Sequence, residues 1–219
     1  MTTRQDEMTL GLFIYPADRQ IAAWRHPAAQ TDAGVNLRHY QALARVAEAA
    51  KFDLIFFADG SSTRGDDVEV LSRTAHSYIA QFELLTLLSA LSAVTERIGL
   101  VGPSQPPSTS PFMWRKFASL DLPSSGRAGW NLVTSSNERE ARNFSRQRHF
   151  SHEERSSRAG EFADAAVGLW NSREEDAFLR DKAVGLFFHP AKRHVLRHAG
   201  KHFRVEHLLS LPRPPGAGR

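Results

Sequence analysis

One stretch of the chain reads Gly126-Arg127-Ala128-Gly129-Trp130-Asn131-Leu132-Val133-Thr134-Ser135. It combines a glycine turn, a short apolar strand and, at the end of that strand, a group of neutral amide and hydroxyl side chains. The two glycines permit backbone geometry or a close approach that a side chain would block. In an α/β barrel, ligands are held at the carboxyl ends of the strands. The stretch therefore predicts a strand that delivers hydrogen-bonding groups to a ligand site.

Strand and helix patterns alternate along the first 170 residues. The predicted strands cover residues 10–15, 52–58, 97–102 and 128–133, and the predicted helices cover 37–50, 83–95, 112–120 and 152–170. Four β-α units with short connections imply parallel strands and right-handed crossovers. The alternation stops after Trp170, where residues 194–198 and 202–205 predict the arms of a hairpin. We therefore expect one domain over residues 1–175, and a hairpin insertion with a Pro-rich end over 176–219.

The composition excludes several classes of protein. With 219 residues, 41% of them hydrophobic, the chain can bury a sizeable core. The absence of cysteine excludes disulfides, thiolate metal sites and a cysteine nucleophile. The formal charge of +4 comes from basic residues interleaved with acidic ones, which favours solvated surfaces over nucleic-acid binding. No signal peptide or membrane-spanning run is predicted, so we expect a soluble, cytoplasmic protein.

Several segments, taken in order, resemble one family. They are Ala50–Asp59, Thr86–Leu91, Glu96–Leu100, Phe117–Asp121, Gly126–Ser135 and Arg158–Phe162, with the hairpin after them. Together they resemble the bacterial-luciferase-like flavin monooxygenases, in the branch of the nitrilotriacetate, pristinamycin and dibenzothiophene-sulfone monooxygenases. The resemblance implies an α/β fold, the TIM-barrel (β/α)8 of that family. Here the barrel is truncated to about four β-α units plus the hairpin, the N-terminal half of a longer chain.

The resemblance also implies an activity. It is an FMNH2-dependent monooxygenase component of a two-component system, in which a separate NAD(P)H:flavin reductase supplies reduced FMN and O2 oxidises a small organic substrate. The alternative is a truncated, inactive remnant, or a half-barrel that associates with itself, for instance as a homodimer. Four strands cannot close an eight-stranded barrel. We therefore expect inward-facing residues such as Ile55 and Phe57 to lack partners.

Four residues are candidates for cofactor binding. Asp59 follows the second strand and is expected either to contact the flavin or its loop, or to form a turn before Gly60. Asn131 offers a donor and an acceptor for the polar edge of the flavin ring, or is a satisfied strand-end amide. His152 and Arg155 lie one turn apart at a helix start, which suits an anion such as the FMN phosphate. A capping box at the same helix start is compatible with this role.

Trp24 and His26 are candidates for the substrate pocket, because they follow the first strand. The alternative is a tryptophan packed under its own loop. The histidines at 194, 198 and 202 lie on a predicted hairpin without a completing carboxylate or cysteine, so we predict no metal site. No residue is predicted as a nucleophile, since the cofactor carries the hard chemistry in such enzymes.

Overall fold

The structure is a computed structural model that describes residues 8–15, 20–75, 79–104, 111–135 and 137–217. Its main sheet has the order β1-β2-β3-β4. The strands are parallel and cover β1 Gly11–Ile14, β2 Leu54–Phe57, β3 Gly99–Ser104 and β4 Ala128–Leu132. All four predicted strands and their parallel arrangement are therefore confirmed.

Six α-helices lie along the described chain. They are α1 Leu37–Ala49, α2 Val68–Leu71, α3 Leu84–Ser92, α4 Pro111–Asp121, α5 Glu138–Asn143 and α6 His152–Trp170. Short 3-10 helices cover Ala23–Arg25, Ala33–Val35 and Pro190–Lys192. The sequence did not predict α2 or α5, because both are short and carry polar residues. The hairpin is present but shorter than predicted, with β5 His198–Ala199 antiparallel to β6 Arg204–Val205.

The chain divides into two compact units, Met1–Gly102 and Pro103–Arg219. Strand β3 begins in the first unit and ends in the second. The predicted change of character after residue 175 is a different kind of boundary and stays a prediction.

In the first unit, one face of the sheet is covered by helices and the other is open. Ile55 and Phe57 are 0% and 3% exposed, so the expectation that they lack partners is wrong. A Cβ at Gly102, on the face that Ile55 shares, would come within 2.5 Å of the Leu84 side chain in α3. The open face is instead that of Phe13, which is 46% exposed and lies 4.8 Å from Phe56 between ring centroids. Apolar residues occupy both faces of β2, so the sequence alone does not reveal which face the helices cover.

A carboxylate fixes the start of β3. Oε1 of Glu48, at the end of α1, accepts the backbone N–H groups of Glu96, Arg97 and Ile98 at 2.9, 2.6 and 2.9 Å. Burial disfavours the charge, yet these three donors outweigh it and lower the pKa of Glu48 below its ordinary value. Glu48 thus joins the end of α1 to the segment that leads into β3.

The second unit has an aromatic core. Trp114 of α4 and Phe162 of α6 are both fully buried, with ring centroids 5.2 Å apart, and Phe203 of the hairpin lies 5.6 Å from Trp114. The carboxylate of Glu161 accepts the backbone N–H groups of His202 and Phe203, at 2.9 and 2.7 Å, and contacts Nε2 of His198 at 3.1 Å. This carboxylate therefore fastens the hairpin to α6.

Candidate functional site

Strand β4 presents its two faces differently. Trp130 and Leu132 pack against the aromatic core, whereas Asn131, between them, is exposed. The backbone N–H of Val133 donates to the carbonyl of Ser104 at 3.0 Å, so the carboxyl ends of β3 and β4 lie side by side. Asn131 thus presents an accessible amide on the face of β4 opposite the core, as a ligand contact at a strand end requires.

Asp59 faces the first turn of α3. Its Oδ1 accepts the backbone N–H of Gly60 at 2.7 Å and lies 3.5 Å from Nε2 of Gln81, and the backbone N–H of Leu84 also donates to the carboxylate. Burial, with a smaller contribution from the nearby charge of Glu83, raises the pKa of Asp59 despite these donors. A carboxyl so held anchors the loop after β2 to the start of α3.

The start of α6 combines a cap with basic side chains. The Ser151 hydroxyl accepts the backbone N–H of Glu154 at 3.1 Å, which is the N-cap half of the predicted capping box. His152 is exposed, and Nη1 of Arg155 donates to the carbonyl of Phe150 at 2.8 Å. The cap leaves the side chain of His152 accessible, so capping and ligand binding remain compatible.

One basic residue beside this helix start escaped the sequence analysis. Both ring nitrogens of His149 are buried beside Arg155, and Nε of Arg155 is buried without a hydrogen-bond partner within the described part of the chain. Burial, and then the positive charge of Arg155, lower the pKa of His149. No spacing in the sequence singles out His149, because it precedes the helix and matches no motif. The loop before α6 therefore places a buried imidazole beside Arg155 of the predicted site.

Trp24 and His26 have different environments. Trp24 lines a cavity of about 240 Å³, together with Asp32, Gly34 and Ala80, and its indole N–H donates to the Arg73 carbonyl at 3.0 Å. His26 is exposed and does not line this cavity; its Nδ1 accepts the backbone N–H of Ala28 at 3.1 Å. Trp24 thus lines a cavity, whereas the contact of His26 forms a local turn, and the substrate-pocket role of both stays a prediction.

A larger cavity of about 390 Å³ lies in the second unit. It is lined by the start of β4, the ends of α4 and α6, and residues of the 214–217 segment. None of the six candidate site residues lines it. It lies at the start of β4, away from the strand end that holds a ligand in barrel proteins.

The three spaced histidines bind different neighbours. His194 contacts Glu174 at 3.0 Å, His198 contacts Glu161 at 3.1 Å, and His202 contacts the Ser157 hydroxyl at 3.0 Å. Within the described residues, no group of three or more His, Cys, Asp or Glu could hold a metal ion. A membrane-spanning helix is likewise absent from that part of the chain.

The candidates fall into two groups, one in each compact unit. Asp59 and Trp24 belong to the first unit, as does His26, whereas Asn131, His152 and Arg155 belong to the second. His152 and Arg155 lie on one turn of α6. In the first unit, Gly34 lines the Trp24 cavity, and its carbonyl accepts the backbone N–H of Phe82, next to the Gln81 side chain that contacts Asp59.

Comparison with known proteins identifies the family. The model of the luciferase-like monooxygenase family matches residues 20–218, so the chain belongs to this family. It is 44% identical to the N-acetyl-S-(2-succino)cysteine monooxygenase of Bacillus subtilis (strain 168), over 98% of this chain and 47% of that protein. It is 39% identical to the nitrilotriacetate monooxygenase component A of Aminobacter aminovorans, over 95% of this chain and 48% of the relative.

Solved structures agree with the fold. A long-chain alkane monooxygenase superposes with a TM-score of 0.87 at 27% identity, over 96% of this chain and 50% of its own. A riboflavin lyase, crystallised with a modified FMN and riboflavin, superposes with a TM-score of 0.85 at 29% identity, over 95% and 48% of the two chains. The chain thus spans about half the length of the relatives it matches, and the predicted luciferase-like fold is confirmed over that half.

Proposed function

We propose that this chain forms the N-terminal, flavin-binding half of a reduced-FMN-dependent monooxygenase component. Its substrates are a small organic molecule and O2, and its partner is a separate NAD(P)H:flavin reductase. The observation that carries the proposal is the match to the luciferase-like monooxygenase family over residues 20–218. A system of more than one component is supported by the relative from Aminobacter aminovorans, which is itself one component of a nitrilotriacetate monooxygenase.

The residues present fit a flavin mononucleotide. Asn131 offers an exposed amide for the polar edge of the ring. The start of α6 offers backbone N–H groups, the exposed His152 and the unsatisfied Nε of Arg155, a donor set that suits a phosphate. The orphaned, buried Nε of Arg155 is the structural reason to expect an anion there, because buried polar groups are normally hydrogen-bonded.

When bound, reduced FMN supplies the electrons that activate O2. The protein's contribution is to bind, orient and shield. Asn131 would orient the ring, and His152 and Arg155 would hold the phosphate. Asp59, at the end of β2, would contact the flavin or position its loop, and burial raises the pKa of its carboxyl. Trp24 would form one wall of the substrate pocket, whereas His26 lies outside the lining of that cavity.

The test is an anaerobic titration of the chain with chemically reduced FMN, after circular dichroism establishes that the chain is folded. Saturable binding at about micromolar concentration supports a working cofactor face in this half. A folded chain that binds no reduced FMN would rule out the proposal. Oxidised FMN serves as the control for preference between the redox states.

A second candidate function follows from the open sheet face. Phe13 is 46% exposed and stacks near Phe56 and Tyr15, and a sheet with unpaired edges invites pairing with another chain. In this alternative the chain is a half-barrel that associates with itself and does not catalyse. Sedimentation velocity distinguishes the two candidates, because self-association would appear without any flavin.

A further inference from the structure

Residues 79–82, which we call the strap, press directly against Gly34. A Cβ at Gly34 would lie 1.9 Å from the carbonyl oxygen of Ala80, far inside any real contact. The Gly34 carbonyl accepts the backbone N–H of Phe82 at 3.1 Å and lies 3.5 Å from the hydroxyl of Tyr40. Only glycine at position 34 lets the strap sit this close.

The strap leads directly to Asp59. Nε2 of Gln81 lies 3.5 Å from Oδ1 of Asp59. Two residues beyond the strap, the backbone N–H of Leu84 also donates to the Asp59 carboxylate. Between them, Glu83 caps α3 by accepting the backbone N–H groups of Leu85 and Thr86 at 3.1 and 2.9 Å. One continuous segment therefore aims two donors at one carboxylate.

We propose that Gly34 and Gln81 are positioning residues for Asp59: the strap, seated on Gly34, orients the Asp59 carboxylate at the ligand end of β2. The inference rests on the proposed function, in which Asp59 is a ligand contact. Gly34 and Ala80 also line the Trp24 cavity. The contact between Gly34 and Ala80 thus forms part of the cavity wall and also fixes the orientation of the Asp59 carboxylate. It therefore links the predicted substrate pocket to the predicted cofactor contact.

Side chains from α1, from the strap and from the start of α3 face Asp59, and Glu83 and Gln81 shift the pKa of its carboxyl. Tyr40 of α1 is 2% exposed and interacts electrostatically with Asp59, and Glu83 adds negative charge from the start of α3. Gln81 is the neutral donor that favours the ionised carboxylate. Replacing Gln81 by leucine removes this donor without adding charge, so the pKa of Asp59 should rise.

The experiment follows the carboxyl carbon of Asp59 by NMR during a pH titration of the whole chain, with D59N to assign the signal. We expect Q81L to move the midpoint upward by more than the spread of replicate titrations. We expect no such displacement when Q81L is added to G34A. The Cβ of alanine at position 34 would push the strap away, so residue 81 would no longer lie near Asp59. G160A provides the matched background, since a Cβ at Gly160 meets nothing within 4 Å; there the effect of Q81L should persist.

Two results would overturn the inference: a midpoint unchanged by Q81L, or an equal displacement in the G34A and wild-type backgrounds. Q81L alone keeps the test decisive if G34A fails to fold, because Gln81 is only half-buried. The titration requires no flavin. A wild-type chain that binds no reduced FMN would therefore count against the proposed function, while the titration still decides the positioning role.

Discussion

The carboxylate of Asp121 accepts the backbone N–H of Gly216 at 2.6 Å across a sequence separation of 95 residues. Its other oxygen accepts the backbone N–H of Ala128 at 3.3 Å, and the side chain is buried. One residue at the end of α4 therefore holds both the start of β4 and the 214–217 segment. Hydrogen bonds to a carboxylate are stronger than those to a neutral acceptor. Leaving either buried N–H without its acceptor would also be unfavourable.

Replacing Asp121 by asparagine should destabilise the chain by about 1–3 kcal/mol, because the amide nitrogen cannot accept an N–H and one of the two donors loses its partner. Urea denaturation measures the free energy of unfolding. D164N is the matched control, since Asp164 is exposed on α6, and it should change that free energy by less than about 0.5 kcal/mol. Equal effects of the two variants would contradict the role given to Asp121.

The Glu161 contact predicts a pH dependence. Burial disfavours its charge, but the donors from His198, Phe203 and His202 outweigh it and lower the pKa of Glu161 from 4.5 to about 2. The folded pKa lies below the unfolded value, so the stabilisation is present above pH 4.5 and is lost as the pH falls toward 2. The difference in unfolding free energy between wild type and E161Q should shrink across that range. A difference that is constant with pH would exclude this linkage.

Gly200 is predicted to be intolerant of a side chain. A Cβ there would lie 2.0 Å from Oε1 of Glu161, while the Gly200 N–H closes the hairpin on the carbonyl of Phe203 at 3.0 Å. G200A should therefore destabilise the chain by about 1–3 kcal/mol. G160A, in a helix with free space, should stabilise it by about 0.5–1 kcal/mol. Thermal melts of the two variants should move in opposite directions, and a shared direction would refute the contact.

His152 is predicted to bind the flavin phosphate. H152A should weaken the binding of reduced FMN by about tenfold, which corresponds to about 1.4 kcal/mol. The melting temperature should barely change, because the side chain is exposed. E153A, one residue further on the same exposed turn, removes a negative charge and should not weaken binding. If H152A and E153A bind reduced FMN equally, the phosphate does not lie at this helix start.

Self-association through the open sheet face is predicted to depend on Phe13. F13S should lower the self-association constant measured by sedimentation, because it removes a large apolar side chain from the open sheet face. Val46 is 67% exposed on α1, outside that face, so V46S is the matched surface control and should leave association unchanged. Identical sedimentation of F13S and wild type would eliminate this face as the contact between copies.

The elements that the sequence predicted well are those with a strong apolar pattern, which is a helical repeat in α6 and a continuous apolar run in β2. The predicted bounds of α6 coincide with His152–Trp170, and β2 lies inside its predicted range. Local sequence predicts that both elements exist, but it does not reveal which face of β2 is covered. Helix α5 was missed because its six residues, Glu138–Asn143, are mostly charged and its buried alanine gives no repeat.

The contacts that fasten the elements together could not be predicted from the sequence. Glu48, Asp121 and Glu161 look like ordinary charged residues, yet each also accepts a backbone N–H from far along the chain. The separations from Glu96, Gly216 and His202 are 48, 95 and 41 positions. Spacing rules address neighbours three or four residues apart on a helix, so they say nothing about such pairs. For the same reason, the sequence did not predict the close contact between Gly34 and the Ala80 carbonyl of the strap.

The long sequence separations of these carboxylates have a consequence for biosynthesis. Domains generally fold from the N-terminus as the chain emerges from the ribosome. Glu48 can accept its last backbone N–H once residue 98 has been synthesised, whereas Asp121 can accept the N–H of Gly216 only after that residue has been added. During most of the synthesis of the second unit, the Asp121 carboxylate therefore lacks one of its hydrogen-bond donors. We expect a chaperone that binds the nascent chain to matter most during this interval.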